Sequence, residues 1–263
     1  MRASLFVTCL GDRFFGRASA DAVRLLRSLG VEVEFPPDQT CCGQPAWNAG
    51  HPEPARRMAR HTCRVFRGGG PVVLPSASCT AMLRHVYPRL LGEDGPAGPG
   101  GDGVGSDLPT RALELAEFLV EVLGVTEVGR GLEGSRLAYH HGCHALRGLG
   151  QREAPLALLR AAGAEVVEWE AAEECCGFGG LFAVKAAPVS VAMADRKLDT
   201  LPPVDAVVSA DPGCLLHLGS RAGRRGATPP MLPLASALWR ARTHGGPSPA
   251  PATGGREGDH GGP

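Results

Sequence analysis

The sequence predicts an α/β protein built from two tandem repeats of a parallel-sheet β-α-β-α-β module, with helices on both faces and cysteines at the strand carboxyl ends. Three observations carry that expectation. Cys41-Cys42-Gly43 recurs as Cys175-Cys176-Gly177, 134 positions later. Each copy is preceded by a cysteine across 31 intervening residues, Cys9 and Cys143, and followed by one across 36 or 37, Cys79 and Cys214. Short apolar runs alternate with helix-length stretches through both halves, and the repeated cysteines fall just after the runs.

The elements follow in order. Residues 4–8 are a short apolar run that reads as a buried strand ending at Cys9. Ser19 is a candidate N-cap for a helix whose stripe is Val23, Leu25, Leu26 and Leu29, and Gly30 stops it. Residues 31–35 alternate as a second strand and lead into the first Cys-Cys-Gly. Residues 52–67 read as a helix, with proline near the first turn and Gly68-Gly69-Gly70 as its stop. Residues 71–75 form the third strand, and Cys79 opens the helix after it. The second half replays this order with strands at 136–140, 165–169 and 205–209 and helices at 153–162 and 189–198.

The repeat extends past the cysteines, because Leu113–Leu119 resembles Leu232–Leu238 at an offset of 119. The Gly/Pro/Asp-rich stretch 92–107 is the right length to be the insertion that shortens the offset, and it reads as a surface loop. The chain therefore divides into a first cysteine-rich repeat (1–91), that loop (92–107), the end of the first repeat (108–125), the second cysteine-rich repeat (126–243) and a Gly/Pro-rich, disordered tail (244–263). In parallel sheets of this type, sites form at the carboxyl ends of strands. Four ligands from three loops can meet there in each repeat.

Bulk properties narrow the function. The 263 residues are 43% hydrophobic, ample for a core, and the formal net charge of zero gives no basic field for nucleic acid. No stretch approaches the ~20 apolar residues of a membrane span, and the N-terminus lacks the pattern of an export signal. The expected location is the cytoplasm, where cysteine clusters serve metal or redox chemistry more often than disulfides. Nine cysteines, an odd count, suit a disulfide framework poorly.

Thiolates are soft ligands that favour iron–sulfur clusters or zinc. Short Cys-x-x-Cys zinc knuckles are absent, and two adjacent cysteines suit an object larger than one tetrahedral ion. The expected cofactor is one or two iron–sulfur clusters per chain, of the [4Fe–4S] type, held by Cys9, Cys41, Cys42 and Cys79 and by Cys143, Cys175, Cys176 and Cys214. Zinc and metal-free thiol redox chemistry stay open as alternatives. Gly43 and Gly177 are expected to let the backbone wrap closely around sulfide. Cys63 faces Lys197 across the repeat and reads as a buried structural thiol. His140, His141 and His144 flank Cys143 without counterparts at Cys9. They read as second-layer hydrogen-bonding groups, or as proton carriers or an added ligand. Catalytic candidates are His141, His144 and Lys185, the last as an attractor for a carboxylate or a counter-charge.

These blocks resemble a known family. Residues 40–50 (Thr-Cys-Cys-Gly-Gln-Pro-Ala-Trp-Asn-Ala-Gly), 74–79 (Leu-Pro-Ser-Ala-Ser-Cys) and 175–185 (Cys-Cys-Gly-Phe-Gly-Gly-Leu-Phe-Ala-Val-Lys) are similar to motifs of the lactate utilisation protein A family. So are Tyr139–His144 and Asp211–Leu215. The paired blocks also resemble the cysteine-rich domains found in heterodisulfide reductase and in the iron–sulfur subunit of glycolate oxidase. The wider group ends each repeat in Cys-x-x-Cys, whereas Ser76 and Asp211 stand at the first of those positions here. That departure puts the cluster type in doubt and leaves Ser76 or Asp211 as a candidate oxygen ligand.

The resemblance implies an oxidoreductase subunit that oxidises L-lactate to pyruvate with two partner subunits and is inactive alone. The chain has neither a ferredoxin-type cysteine run nor a Gly-x-Gly-x-x-Gly after a strand. Those modules are expected on the partners, at least one carrying ferredoxin-type clusters for electron transport. The alternatives are a heterodisulfide-reductase-like thiol/disulfide protein and a zinc-stabilised scaffold.

Overall fold

The computed structural model describes residues 1–92, 107–226 and 229–244. The expected insertion loop and tail fall almost entirely outside these residues. The rest forms two four-stranded, all-parallel sheets of orders β2-β1-β3-β4 and β6-β5-β7-β8. The first comprises β1 (Arg2–Leu5), β2 (Glu32–Glu34), β3 (Val72–Leu74) and β4 (Ala112–Glu114). The second comprises β5 (Arg136–Tyr139), β6 (Glu165–Val167), β7 (Ala206–Ser209) and β8 (Met231–Pro233). The registers match across the repeat: Ser4 pairs with Val72 and Ala138 with Val207.

Each module thus carries one strand more than the three that hydropathy marks. β4 and β8 are the Leu113 and Leu232 segments of the repeat, and each is three residues long. Helices α7 (Leu115–Glu117) and α12 (Leu234–His244) begin on the next residue. A strand so short has no alternation of its own; pairing to β3 and β7 makes it extended.

Helix α1 (Cys9–Ser28) starts ten residues before Ser19. Its N-cap is Thr8, whose hydroxyl accepts the Gly11 amide at 3.3 Å, and a break at Phe15 separates this first turn from the amphipathic part. The long helices α3 (Pro52–Val65), α8 (Glu153–Ala161) and α10 (Ala187–Asp199) lie close to their expected positions, and α11 (Pro212–Gly223) follows β7 where the sequence reading marks no helix. After β3, α4 (Ala77–Ala81) continues through a π-helical turn, Met82–Val86, into α5 (Tyr87–Leu91).

The strands alternate between two buried faces. In β3, Val73 points into one core while Val72 and Leu74 point into another. The first of these cores is shared by both repeats: Leu25 and Leu26 of α1, Leu158 and Leu159 of α8, Leu115 of α7 and Leu238 of α12 pack together. A buried Asp21 on α1 accepts the Ser236 hydroxyl of α12 at 2.8 Å, tying the halves across 215 residues. The modules are thus joined through their inner helices, and their carboxyl ends meet along one seam.

β4 ends at the buried Glu114, whose carboxylate caps α7 by accepting the Ala116 amide at 2.7 Å. Its other oxygen has no partner. Burial therefore pushes this carboxyl from 4.5 up to about 8. Between those values the folded chain keeps a proton that the unfolded chain releases, so this group's contribution to stability falls as pH rises through that window and is constant above it. Urea midpoints measured across the window should decline in the wild type by more than in Glu114→Gln, whose curve should be flatter.

Candidate metal centre

In sheets of order 2-1-3-4 the chain turns in opposite directions from β1 and β3, which opens a crevice at their carboxyl ends. Cys9 opens α1 after β1, and Cys79 lies in α4 after β3. The loop after β2 brings Cys41 and Cys42. Gln39 pins that loop to the end of β1 by accepting the Val7 amide at 2.7 Å and donating to the Leu5 carbonyl at 3.3 Å. Tyr87 anchors it from below, donating to the Cys42 carbonyl at 2.9 Å. The sulfurs of Cys9 and Cys41 then lie 3.6 Å apart, as do those of Cys42 and Cys79. Cys41 and Cys42 are themselves in contact.

The second repeat does the same with Cys143 after β5, Cys175 and Cys176 after β6, and Cys214 in α11 after β7. Cys143 contacts Cys175, Cys175 contacts Cys176, and Cys176 contacts Cys214. In both sets the last two thiols, Cys42 with Cys79 and Cys176 with Cys214, are buried, and the outer two reach the surface. All eight expected cysteines thus come together as two sets of four. Cys63 instead packs in the core of the first repeat.

The thiols of each set share charge unequally. Hydrogen bonds from Cys42 and then Cys9 lower Cys41 to about 3, while Cys42 and Cys9 are pushed far up by the same bonds and by burial. Likewise bonds from Cys143 and then Cys176 lower Cys175 to about 2. The amides of Gly177 and Phe178 add N–H···S contacts of 3.5 Å each to Cys175 and Cys176. Each set is a run of contacting soft donors, two of them desolvated, with negative charge concentrated on one sulfur. This donor set fits a multinuclear thiolate-bound centre.

Gly43 and Gly177 are required by the packing of the Cys-Cys turns. Both have a left-handed backbone, with φ of +86° and +85°. A Cβ at Gly177 would lie 2.6 Å from the Ser190 carbonyl, and one at Gly43 would lie 3.3 Å from Met58 Cβ. The absent side chain lets each Cys-Cys turn lie against helix α3 or α10.

Ser76 and Asp211, equivalent in the two repeats, meet at the seam. Ser76 caps α4 by accepting the Cys79 amide at 3.4 Å. The buried Asp211 reaches into the first repeat, where Oδ1 accepts the Ser78 amide at 2.8 Å and the Ser76 hydroxyl at 3.4 Å. Gly142 has no Cβ because Asp211 Oδ2 would be 2.2 Å from it.

A second bridge runs from His144, whose Nδ1 is 3.7 Å from Cys143 Sγ and whose Nε2 is 3.4 Å from Gln44 Nε2. Gln44 also donates to the Ser78 carbonyl at 3.2 Å. The half-buried His144 thus links the loop of the second site to that of the first. His141 is buried edge-on to Tyr139, at 4.8 Å between ring centroids, and burial lowers its pKa. Lys185 is exposed at the end of α9 (Phe182–Lys185).

Two residues lie behind the second set: Lys197, which sequence reasoning notes only as the counterpart of Cys63, and His140, which it marks as a hydrogen-bonding group, proton carrier or added ligand. Lys197 on α10 is fully buried, lies 4.1 Å from the Trp169 ring centroid, and donates to the carbonyls of Ala171 and Ala172. Burial lowers it to about 8, and the Cys176 and Cys214 sulfurs oppose that by favouring its charge. His140 is also fully buried, with its ring nitrogens and the sulfurs of Cys176 and Cys214 placed so that one ligand atom from each lies within 4.8 Å of the others. The equivalent positions in the first repeat hold Cys63 and Phe6. The signal available in the sequence was this mismatch: a lysine and a histidine where the other repeat has apolar side chains.

Residues 3–84 and 137–219 each match the cysteine-rich CCG domain. The fold and its two thiol sets thus define a tandem CCG-domain protein. Over 241 residues, covering 90% of this chain, it is 42% identical to lactate utilization protein A of Geobacillus thermodenitrificans strain NG80-2, spanning 98% of that protein. It is 40% identical over the same length to that of Halalkalibacterium halodurans, spanning 96%. Identity is 39% to lactate utilization protein A 2 of Bacillus mycoides strain KBAB4. The chain belongs to the lactate utilization protein A family. Among the described residues, no helix is long and apolar enough to cross a membrane.

Asp211 has both of its contacts committed to the seam, so Asp211→Asn should lower thermal stability by the equivalent of ~1–3 kcal/mol. Metal content per chain should stay unchanged; a fall by half would make the carboxylate a ligand.

Proposed function

We propose that this protein is an iron–sulfur redox subunit acting in the oxidation of L-lactate to pyruvate, together with partner subunits. The observation that carries the reading is the convergence of two equivalent four-thiol sets in a chain whose relatives are named for lactate utilization. Cys9, Cys41, Cys42 and Cys79 would hold one cluster, and Cys143, Cys175, Cys176 and Cys214 the other. Such clusters, when bound, exchange single electrons at potentials set by charge, hydrogen bonds and exposure. Oxidation of lactate to pyruvate releases two electrons and two protons, a count that two one-electron sites match.

The chain's own residues support relay over direct substrate chemistry. The buried pairs Cys42–Cys79 and Cys176–Cys214 exclude water from one side of each site, while Cys9, Cys143 and their neighbours leave the other side open to a partner. Backbone amides offset negative charge on both sets, at Gly43 in the first and at Gly177 and Phe178 in the second, and Lys197 adds a buried cation to the second alone. These make the second site the better electron acceptor of the two. His144 and Gln44 give the sites a short polar bridge across the seam. The lactate-oxidising centre and the ferredoxin-type clusters then belong to partners, in a reducing cytoplasm where these thiols stay unpaired.

Protein purified without oxygen should carry roughly four to eight irons with matching acid-labile sulfide, the content of one or two [4Fe–4S] sites. Cys42→Ser should remove about half of the iron. Combined with its partners, the wild type should reduce an acceptor in the presence of L-lactate, and Cys42→Ser should lose most of that rate. Zinc in place of iron, or full lactate oxidation by the partners alone, would overturn the proposal.

A further inference from the structure

The two sites are equivalent in their cysteines and not in what lies behind them. In the first, Phe6 closes the floor and stacks on Phe66 at 5.3 Å between centroids. In the second that position is His140, an imidazole with no exposed surface. A neutral imidazole has one N–H to donate and one lone pair to fill. Neither ring nitrogen of His140 makes a hydrogen bond. Leaving a buried polar atom unsatisfied costs ~1–3 kcal/mol, so the position needs an explanation.

The neighbouring donors cannot supply one. The Trp169 indole, 6.4 Å away between centroids, gives its N–H to the Lys197 carbonyl at 3.3 Å and the Thr200 hydroxyl at 3.1 Å. Lys197 Nζ gives two of its three N–H groups to the Ala171 and Ala172 carbonyls and reaches neither nitrogen of His140. The Ser209 hydroxyl donates to the His140 carbonyl at 2.9 Å, not to its ring. What remains is the Ala172 carbonyl, close enough to favour a ring N–H, and the sulfurs of Cys176 and Cys214.

We infer that His140 is a nitrogen ligand of the second metal centre, making it a mixed thiolate–imidazole site while the first is thiolate only. The inference rests on the reading of these sets as metal centres. Ligation satisfies both nitrogens: the lone pair goes to metal and the N–H to the Ala172 carbonyl, the usual backbone partner of a ligating histidine. Without metal a protonated Cys176 or Cys214 thiol is the one donor near enough to face that lone pair, and a metal held by the same nitrogen and sulfurs takes the place of that proton. Imidazole suits the same metals as these thiolates. A neutral donor adds a ligand without adding negative charge, and the buried Lys197 makes the surroundings of the second site more positive than those of the first.

The test uses full-length protein, purified without oxygen and labelled with ¹⁵N-histidine, in a Cys42→Ser background that leaves only the second site filled. Pulsed EPR of the dithionite-reduced protein should show a strongly coupled ¹⁵N nucleus, and X-ray absorption at the metal edge should show a nitrogen inside the sulfur shell whatever the spin state. His140→Phe, which installs the residue of the first repeat, should lose both signals and release its metal to a chelator several-fold faster. Only weak nitrogen coupling with no nitrogen scatterer in the unsubstituted histidine protein would overturn the inference without requiring any His140 variant to fold. Persistence of both signals in His140→Phe would assign the nitrogen to another residue and overturn it as well. A metal-free Cys42→Ser protein would instead sink the metal-centre reading itself.

Discussion

Four thiols in contact, two of them stripped of water, cannot all ionise, and the rest of the structure is arranged around that fact. Sulfurs 3.6 Å apart repel strongly once charged, and in a desolvated pocket little screens that repulsion. The free chain settles this by concentrating charge on Cys41 and Cys175 and keeping their neighbours protonated as donors. A cationic centre among the sulfurs resolves it fully. The backbone amides at Gly177 and Phe178, the Tyr87 anchor on the Cys42 carbonyl and the capped start of α4 all hold the thiols where such a centre would be bound.

Holding them there takes both halves of the molecule. Each module makes its own thiol set, yet the loops that carry the sets brace one another across the seam. Asp211 closes the start of α4 in the other repeat, and His144 reaches Gln44. Leu10, next to Cys9 of the first set, approaches Gly213, next to Cys214 of the second, where Phe178 leaves no room for a Cβ. The shared helical core beneath fixes the two sheets relative to each other, so neither site is free to adjust alone. Duplication supplied two similar sites, and divergence at Phe6/His140 and Cys63/Lys197 made their electrostatics different.

The eight-cysteine pattern, the strands with apolar runs of their own and the parallel arrangement were legible in the sequence because each rests on local pattern or on spacing within one module. β4 and β8 were not, since three residues carry no period and owe their shape to a neighbouring strand. The start of α1 was misplaced because the break at Phe15 interrupts the helical stripe, while the Thr8 cap that begins it is a single hydroxyl contact. Gly43 and Gly177 were legible as glycine-requiring turns, while the helices α3 and α10 that they approach became visible only in the packed structure.

By itself the sequence determined that there are two thiol sets, which residues compose them, and that they lie where strands end. Only the tertiary structure decided which side chains back each set. His140 meets Cys176 and Cys214, Lys197 lies behind the same sulfurs, and Ser76 faces Asp211, through contacts spanning 135 residues in the last case. The physical reason is that spacing records a repeated module, whereas burial and charge around a sulfur depend on which distant elements the packed core brings against it.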